Sequence, residues 1–180
     1  MTLNDILVSA LAQLDRGHDS QTLDTWRNKL TRFANEAVYD IAMTVRPKRT
    51  EQARVENGVL DLRTLSRPCV KVAGVTKDGG ALSFFQGVGS DLLRIPGGEG
   101  TVEIRYQFVP RELSLPTDEP ELPAHCQGLI VTYVVGRERA SGDVSTQRGA
   151  QVYFELYQAG KRQLRPHRGE QDAYRIENRW

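Results

Sequence analysis

The 180-residue sequence has little of what marks exported, membrane-bound or strongly charged proteins. Its two cysteines, Cys69 and Cys126, have no CxxC spacing and no histidines at metal-ligand intervals, which favours free thiols in a reducing compartment. No apolar run approaches the ~18 residues of a membrane span, and the first residues lack a basic leader. The 24 Lys and Arg nearly balance the 23 Asp and Glu, unlike a strongly basic nucleic-acid binder. We therefore expect a soluble protein without membrane association.

Motifs for catalysis or cofactor binding are also missing. The glycine-rich stretch GVGSDLLRIPGGEG (87–100) lacks the GK[ST] element that holds phosphates and magnesium, so its glycines predict hairpin turns. There is no GxSxG nucleophile elbow, and the sequence identifies no base partner for any serine. We therefore predict that the protein is not an enzyme and uses no cofactor.

The titratable side chains do not form a recognisable site. The three histidines are His18, His125 and His167. They fall in a loop, at a helix start and in the C-terminal segment, and none has a second ligand at the spacing of a helical metal site. Asp118, Glu119 and Glu121 cluster beside prolines ahead of a helix, where negative charge favours the helix dipole. This position favours helix-start electrostatics over acid–base chemistry, and we predict no metal site.

Two helices are predicted at the start of the chain, where apolar residues recur every three and four positions. The first begins after Thr2, a suitable N-cap, and ends at Gly17. The second keeps its period over residues 23–45 and stops before Pro47. Its wide apolar stripe requires helical partners.

Two further helices are predicted near the end. The third begins at Pro123 and ends near Gly142, and the fourth ends at Gly160. Four residues of the fourth helix are expected to pack inward: Val152, Tyr153, Leu156 and Tyr157.

The middle of the chain predicts strands, because turn sequences such as Asn57-Gly58 divide short segments of alternating apolar residues. The expected strands are 70–75, 81–85, 91–95 and 101–108. In the last of them four residues share one face: Val102, Ile104, Tyr106 and Phe108. A half-exposed antiparallel sheet is the expected product.

These elements predict an α+β fold: a small antiparallel four-helix bundle with a β-sheet lobe inserted between helices 2 and 3, plus an extended C-terminal arm. The predicted domains are 1–46 with 120–160 as the helical bundle, 47–119 as the inserted antiparallel β lobe, and 161–180 as a C-terminal docking arm.

The last residues, GKRQLRPHRGEQDAYRIENRW (160–180), are polar and mostly basic yet contain Tyr174, Ile176 and Trp180. By composition they are either a disordered solubilising end or a binding segment. Large apolar side chains are costly to leave in water and commonly anchor interfaces, which favours binding.

The order of motifs resembles the head-to-tail adaptor, or connector, proteins of tailed bacteriophages. The resemblance covers roughly residues 20–160. The segments that carry it are WRNKLTRFANEAVYDIA, RVENGVLDLRTL, KVAGVTKDGG, TVEIRYQFVPREL and LPTDEPELPAHCQGLIVTYVVGRERASGD. In that family a strand with the pattern Y…P is followed by an acidic turn with the pattern D.P.LP. A helix comes next, and its apolar stripe ends in a tyrosine-rich and then charged stretch. The matching residues are Tyr106, Pro110, Asp118, Pro120, Leu122, Pro123, Tyr133, Arg137 and Glu138.

The resemblance implies a structural virion protein, made in the host cytoplasm and located in the neck between capsid and tail. It implies a ring of twelve copies that docks beneath the portal protein, extends the DNA channel and receives tail proteins or the next neck ring. Genomic DNA would pass without sequence-specific binding. The candidate portal-binding residues lie in the C-terminal segment: Arg162, Arg165, Arg168, Tyr174, Ile176 and Trp180.

Two other functions stay open. A stopper or tail-completion protein of the neck would contact tail proteins instead of the portal. A DNA-binding packaging accessory factor would use the basic C-terminal segment to grip phosphates, and its affinity would then depend strongly on salt.

Overall fold

The computed structural model describes residues 1–17, 19–142 and 144–164. They form two compact units: a helical unit of Met1–Val45 with the described residues from Val109 onward, and a β unit of Arg46–Phe108. Each unit has its own hydrophobic core.

Within the described part of the chain, the helical unit contains four α-helices. They are α1 (Leu3–Gln13), α2 (Ser20–Val45), α3 (Gln127–Ala140) and α4 (Val144–Gln163). The start of α1 confirms the predicted cap: Thr2 Oγ1 accepts a 3.2 Å hydrogen bond from the Asp5 amide, and the Asp5 carboxylate accepts one of 2.9 Å from the Thr2 amide. This reciprocal pair satisfies amide groups that the first turn would otherwise leave without partners.

Helix α3 lies at the centre of the helical unit. It packs against α1, α2 and α4. Its buried residues are Ile130, Val131, Val134, Val135, Gly136 and Glu138. Because these residues occupy more than one side of the helix, α3 has no single apolar stripe and needs neighbours on several sides.

Helices α3 and α4 are antiparallel and approach closely at glycines. A Cβ atom on Gly136 of α3 would lie 3.2 Å from Cβ of Tyr153, and one on Gly160 of α4 would overlap the Leu129 side chain. The predicted helix end at Gly160 is wrong, since α4 continues to Gln163. Gly160 instead provides the space in which Leu129 packs.

The β unit contains seven strands in two antiparallel sheets. They are β1 (Lys48–Val55), β2 (Val59–Asp61), β3 (Cys69–Lys77), β4 (Gly80–Ala81), β5 (Phe85–Gln86), β6 (Leu92–Arg94) and β7 (Gly100–Phe108). The strand orders are β1-β7-β3-β4 in one sheet and β2-β6-β5 in the other. The predicted inward face of β7 is confirmed, because Val102, Ile104, Tyr106 and Phe108 are all buried.

The fold is therefore α+β, but the predicted four-helix bundle with one β-sheet lobe inserted between helices 2 and 3 is wrong. In the described residues, α3 is the common neighbour of the other three helices, and the strands divide between two sheets. The prediction combined two antiparallel helix pairs into a bundle, whereas α3 is buried on several sides and contacts each of the other helices. The predicted extended C-terminal arm lies almost entirely beyond the described residues.

Candidate assembly surfaces

Only one of the six predicted portal-binding residues lies in the described part of the chain. Arg162 is in the last turn of α4, and its side chain is exposed. The other five lie outside the described residues: Arg165, Arg168, Tyr174, Ile176 and Trp180. The structure therefore defines the point from which the candidate binding segment departs.

That point is held by an ionic contact between α2 and α4. The Tyr157 hydroxyl donates a 2.6 Å hydrogen bond to Asp40, and Lys161 Nζ lies 2.6 Å from both oxygens of the same carboxylate. Burial and the hydrogen bond to Asp40 raise the pKa of Tyr157 far above its usual range, so the hydroxyl stays a donor. This contact could not be predicted from the sequence, since Asp40 and Lys161 are 121 residues apart.

The outer face of α4 carries two exposed apolar residues one turn apart. Val152 and Leu156 are more than half exposed, whereas the sequence predicted both to pack inward with Tyr153 and Tyr157. Tyr157 is buried and Tyr153 is partly buried against the helical core. The buried side of α4 is therefore the side that faces Gly136 and Leu129. Val152 and Leu156 lie outside this buried side.

A basic cleft lies between α2 and the end of α3. We use this name for the 540 Å³ groove whose cations are Lys29, Arg32 and Arg137 and whose apolar lining includes Phe33 and Ala140. The Arg137 guanidinium lies 5.2 Å from the centre of the Phe33 ring, and Lys29 Nζ lies 5.9 Å from it. The Phe33 ring is only 6% exposed, so the groove presents mainly cations, with a buried ring beneath them.

Two carboxylates neutralise part of this charge. Glu36 pairs with Arg137 at 3.1 Å and with Arg32 at 3.6 Å. Glu138 is buried and pairs with Lys29 at 2.7 Å and with Arg16 at 3.1 Å. In this network four cations face two carboxylates, so a positive excess remains at the cleft.

Beside the network, Trp26 is partly buried against the helical core. The Arg16 guanidinium lies 3.6 Å from the centre of its ring, and Lys29 Nζ lies 5.4 Å from it. These contacts give Trp26 a structural role at the end of the helical unit.

The acidic segment around Asp118 forms a braced turn. Asp118 is buried, and its carboxylate accepts hydrogen bonds from the amides of Leu115 (2.7 Å) and Ser114 (2.8 Å) and lies 3.3 Å from the Arg111 guanidinium. The two amide bonds are the main reason that the pKa of Asp118 is lowered. A carboxylate with a lowered pKa is a poor proton acceptor at neutral pH, so its role here is structural.

The predicted role of Asp118 at the start of the following helix is wrong. Its carboxylate folds the turn back on itself, and the backbone carbonyl groups of Asp118 and Pro116 accept hydrogen bonds from Leu3 (2.7 Å) and Asn4 (3.0 Å) in the first turn of α1. The motif therefore supports α1 rather than α3.

The outer rim of this turn, which we call the acidic rim, is Glu112–Glu119. Glu112 and Glu119 are exposed, and Leu115 between them is 60% exposed. The rim is tied to α2 by Asn35, whose side chain makes hydrogen bonds of 2.8 and 3.0 Å with the backbone of Leu113. The rim thus presents charge and an apolar side chain from a fixed loop.

The β unit also exposes apolar side chains, on the hairpin from β5 to β6. Phe85, Val88 and Leu92 are all largely exposed. A polar contact of this unit joins Glu51 to Ser66, which donates to the Glu51 carboxylate from both its amide and its hydroxyl. Burial alone would raise the pKa of Glu51, but the hydrogen bonds from Ser66 outweigh it and lower that pKa, so Glu51 is a weak base for activating Ser66.

The described residues contain no cluster of three or more His, Cys, Asp or Glu suited to a metal ion. None of the helices over the same residues is long and apolar enough to cross a membrane. The chain matches no protein-family model and no curated protein. The order of motifs and the geometry of these surfaces are therefore the basis for a functional proposal.

Proposed function

We propose that this chain is a structural virion protein, a head-to-tail adaptor that forms a ring of twelve copies beneath the portal of a tailed bacteriophage. The observation that carries the proposal is the acidic rim. The motif on which the family resemblance depends is a loop braced by Asp118, and its outward side chains are suited to contact rather than to catalysis. A ring subunit needs such fixed surfaces on its flanks.

The portal contact is assigned to the segment that follows α4. The end of α4 is fixed by Asp40, Tyr157 and Lys161, and the exposed Arg162 follows immediately. In this proposal the residues from Arg162 to Trp180 dock on the portal, with the arginines pairing with acidic groups and Tyr174, Ile176 and Trp180 as anchors.

The channel function is compatible with the net charge of the chain, +1 at pH 7. Genomic DNA must pass through the ring without being held, and phosphate contacts repeated in every subunit would add up to strong, salt-dependent binding. The tail proteins or the next neck ring would bind the opposite end of the ring.

Electron microscopy of the purified protein, alone and mixed with the portal protein of the same genome, tests the proposal. A stoichiometric ring or cap on the portal supports it, and bare portals contradict it. Pull-down with tail proteins distinguishes the adaptor from a stopper or tail-completion protein, because the stopper would bind tail proteins without binding the portal.

A DNA-binding packaging accessory factor is the second candidate, and the basic cleft is the observation that favours it. Duplex binding at physiological salt that is lost on removing the cations of the cleft or the residues after α4 would support this function.

A further inference from the structure

We propose that the basic cleft of one subunit binds the acidic rim of a second copy of the chain. The inference rests on the proposed function, because it supplies the lateral contact by which a ring would close. Both surfaces belong to the helical unit. Each subunit therefore offers a basic cleft to one neighbour and an acidic rim to another.

The cleft is suited to an occupant that is both acidic and apolar. Its cations Lys29, Arg32 and Arg137 surround a lining that includes the Phe33 ring and Ala140. The Arg32 side chain is 77% exposed and lies at 3.6 Å from its neighbour Glu36, so much of its charge is available to another group. A phosphate backbone would use the cations but not the apolar lining at Ala140.

The acidic rim has the complementary composition. Glu112 and Glu119 flank Leu115, which is the exposed apolar side chain of the loop. Because the hydrogen bonds of Asp118 and Asn35 already fix the backbone, little conformational entropy is lost when the rim binds. The two glutamates match the cations of the cleft, and the leucine side chain matches its apolar lining at Ala140, since Phe33 itself is only 6% exposed.

The two surfaces lie on different flanks of α2. Phe33 and Asn35 are two residues apart and therefore about 200° apart around the helix axis. Glu36 and Asp40, on the flank of Phe33, contact α3 and α4, whereas Asn35 contacts the loop at Leu113. A contact between two different surfaces of identical subunits is heterologous, and it produces a ring when the rotation closes.

Charge reversal on each side tests the contact. We would make Arg32→Glu for the cleft and the double variant Glu112→Lys with Glu119→Lys for the rim, and measure self-association of the full chain by sedimentation velocity over a range of concentrations and salt. Each variant alone should associate at least about tenfold more weakly than the wild type. Arg54→Glu in the β unit, where the side chain is 81% exposed, is the matched control and should associate normally.

Mixing the two variants gives the most specific result. A reversed cleft then faces a reversed rim, and a wild-type cleft faces a wild-type rim, so an equimolar mixture should regain association that neither variant has alone. Arg32→Gln, which removes the charge without reversing it, should fall between the wild type and Arg32→Glu. Circular dichroism verifies that every variant is folded.

Five outcomes would overturn the inference. The first is association of Arg32→Glu equal to that of Arg54→Glu, and the second is failure of the mixture to regain association. The third is loss of duplex DNA binding in Arg32→Glu with unchanged self-association, which would assign the cleft to phosphate. The fourth is a wild type that never self-associates, in solution or on portals. The fifth is formation of normal rings by Arg32→Glu on portals, which would refute the lateral contact and leave the adaptor function standing.

Discussion

The hydroxyl group of Tyr157 in α4 donates a 2.6 Å hydrogen bond to the carboxylate of Asp40 in α2. Together with Lys161, this bond holds the end of α4 from which the proposed docking segment departs. Tyr157→Phe removes the donor and keeps the ring, so the free energy of unfolding should fall by about 1.5 kcal/mol. This is the lower end of the range for a hydrogen bond to a charged group, because Asp40 is 41% exposed to water. Urea denaturation measures this change.

The matched control for that variant is Tyr39→Phe. Tyr39 is 55% exposed, so removing its hydroxyl should change stability by less than about 0.5 kcal/mol. Equal effects of the two substitutions would show that the Asp40 bond does not hold the end of α4.

Two glycines in the same helix pair should respond in opposite ways to alanine. Gly128→Ala in α3 meets open space and should stabilise the protein by about 0.5 to 1 kcal/mol through helix propensity. Gly160→Ala has the same propensity gain, but its methyl group overlaps Leu129, so the gain should be lost or reversed. Thermal unfolding of both variants measures the difference, and equal stabilisation would contradict the close α3–α4 contact.

Acid should weaken the acidic rim through Asp118. The pKa of this carboxyl group is lowered in the folded state by the amides of Leu115 and Ser114, so its stabilisation is fully present above its unfolded pKa and is lost as the pH falls through the folded value. The wild type should therefore melt at a higher temperature than Asp118→Asn at pH 7, and this difference in melting temperature should begin to narrow below about pH 4, the unfolded pKa of Asp.

Glu119→Gln is the control for this titration, because Glu119 is exposed and its removal leaves the brace intact. If the difference in melting temperature between wild type and Asp118→Asn is constant from pH 7 to pH 3, the charge of Asp118 does not stabilise the turn.

Truncation separates folding from attachment. A chain ending at Leu164 keeps the contact of Lys161 with Asp40 and should melt like the full chain, yet it should no longer attach to the portal. A chain ending at Gly160 loses Lys161 and should also melt at a lower temperature. Portal attachment by the chain that ends at Leu164 would contradict the docking role of the C-terminal segment.

Much of the local structure could be predicted from the sequence, because its signals are local. The apolar stripe that follows the Thr2 cap predicts α1, and the strict alternation of apolar residues predicts the inward face of β7. Strand β1 was missed, since KRTEQARV is almost entirely polar and its pairing with β7 depends on a segment some 50 residues away in the chain.

The arrangement of the helices and the candidate surfaces needed the structure. Periodicity did not reveal that α3 is buried on several sides, nor that Val152 and Leu156 lie beyond the buried edge of α4. The basic cleft joins residues of α2 and α3 about 100 positions apart, and the brace by Asp118 depends on backbone amides that carry no sequence signal.

The central claim is that this chain forms a ring on the portal of a tailed phage. Electron microscopy of full-length protein mixed with purified portal, followed by two-dimensional class averages, tests it most directly. We expect a closed ring of twelve copies, seated on one end of the portal and absent when the chain ends at Leu164. Portals that stay bare at saturating concentrations of the full-length protein would contradict it.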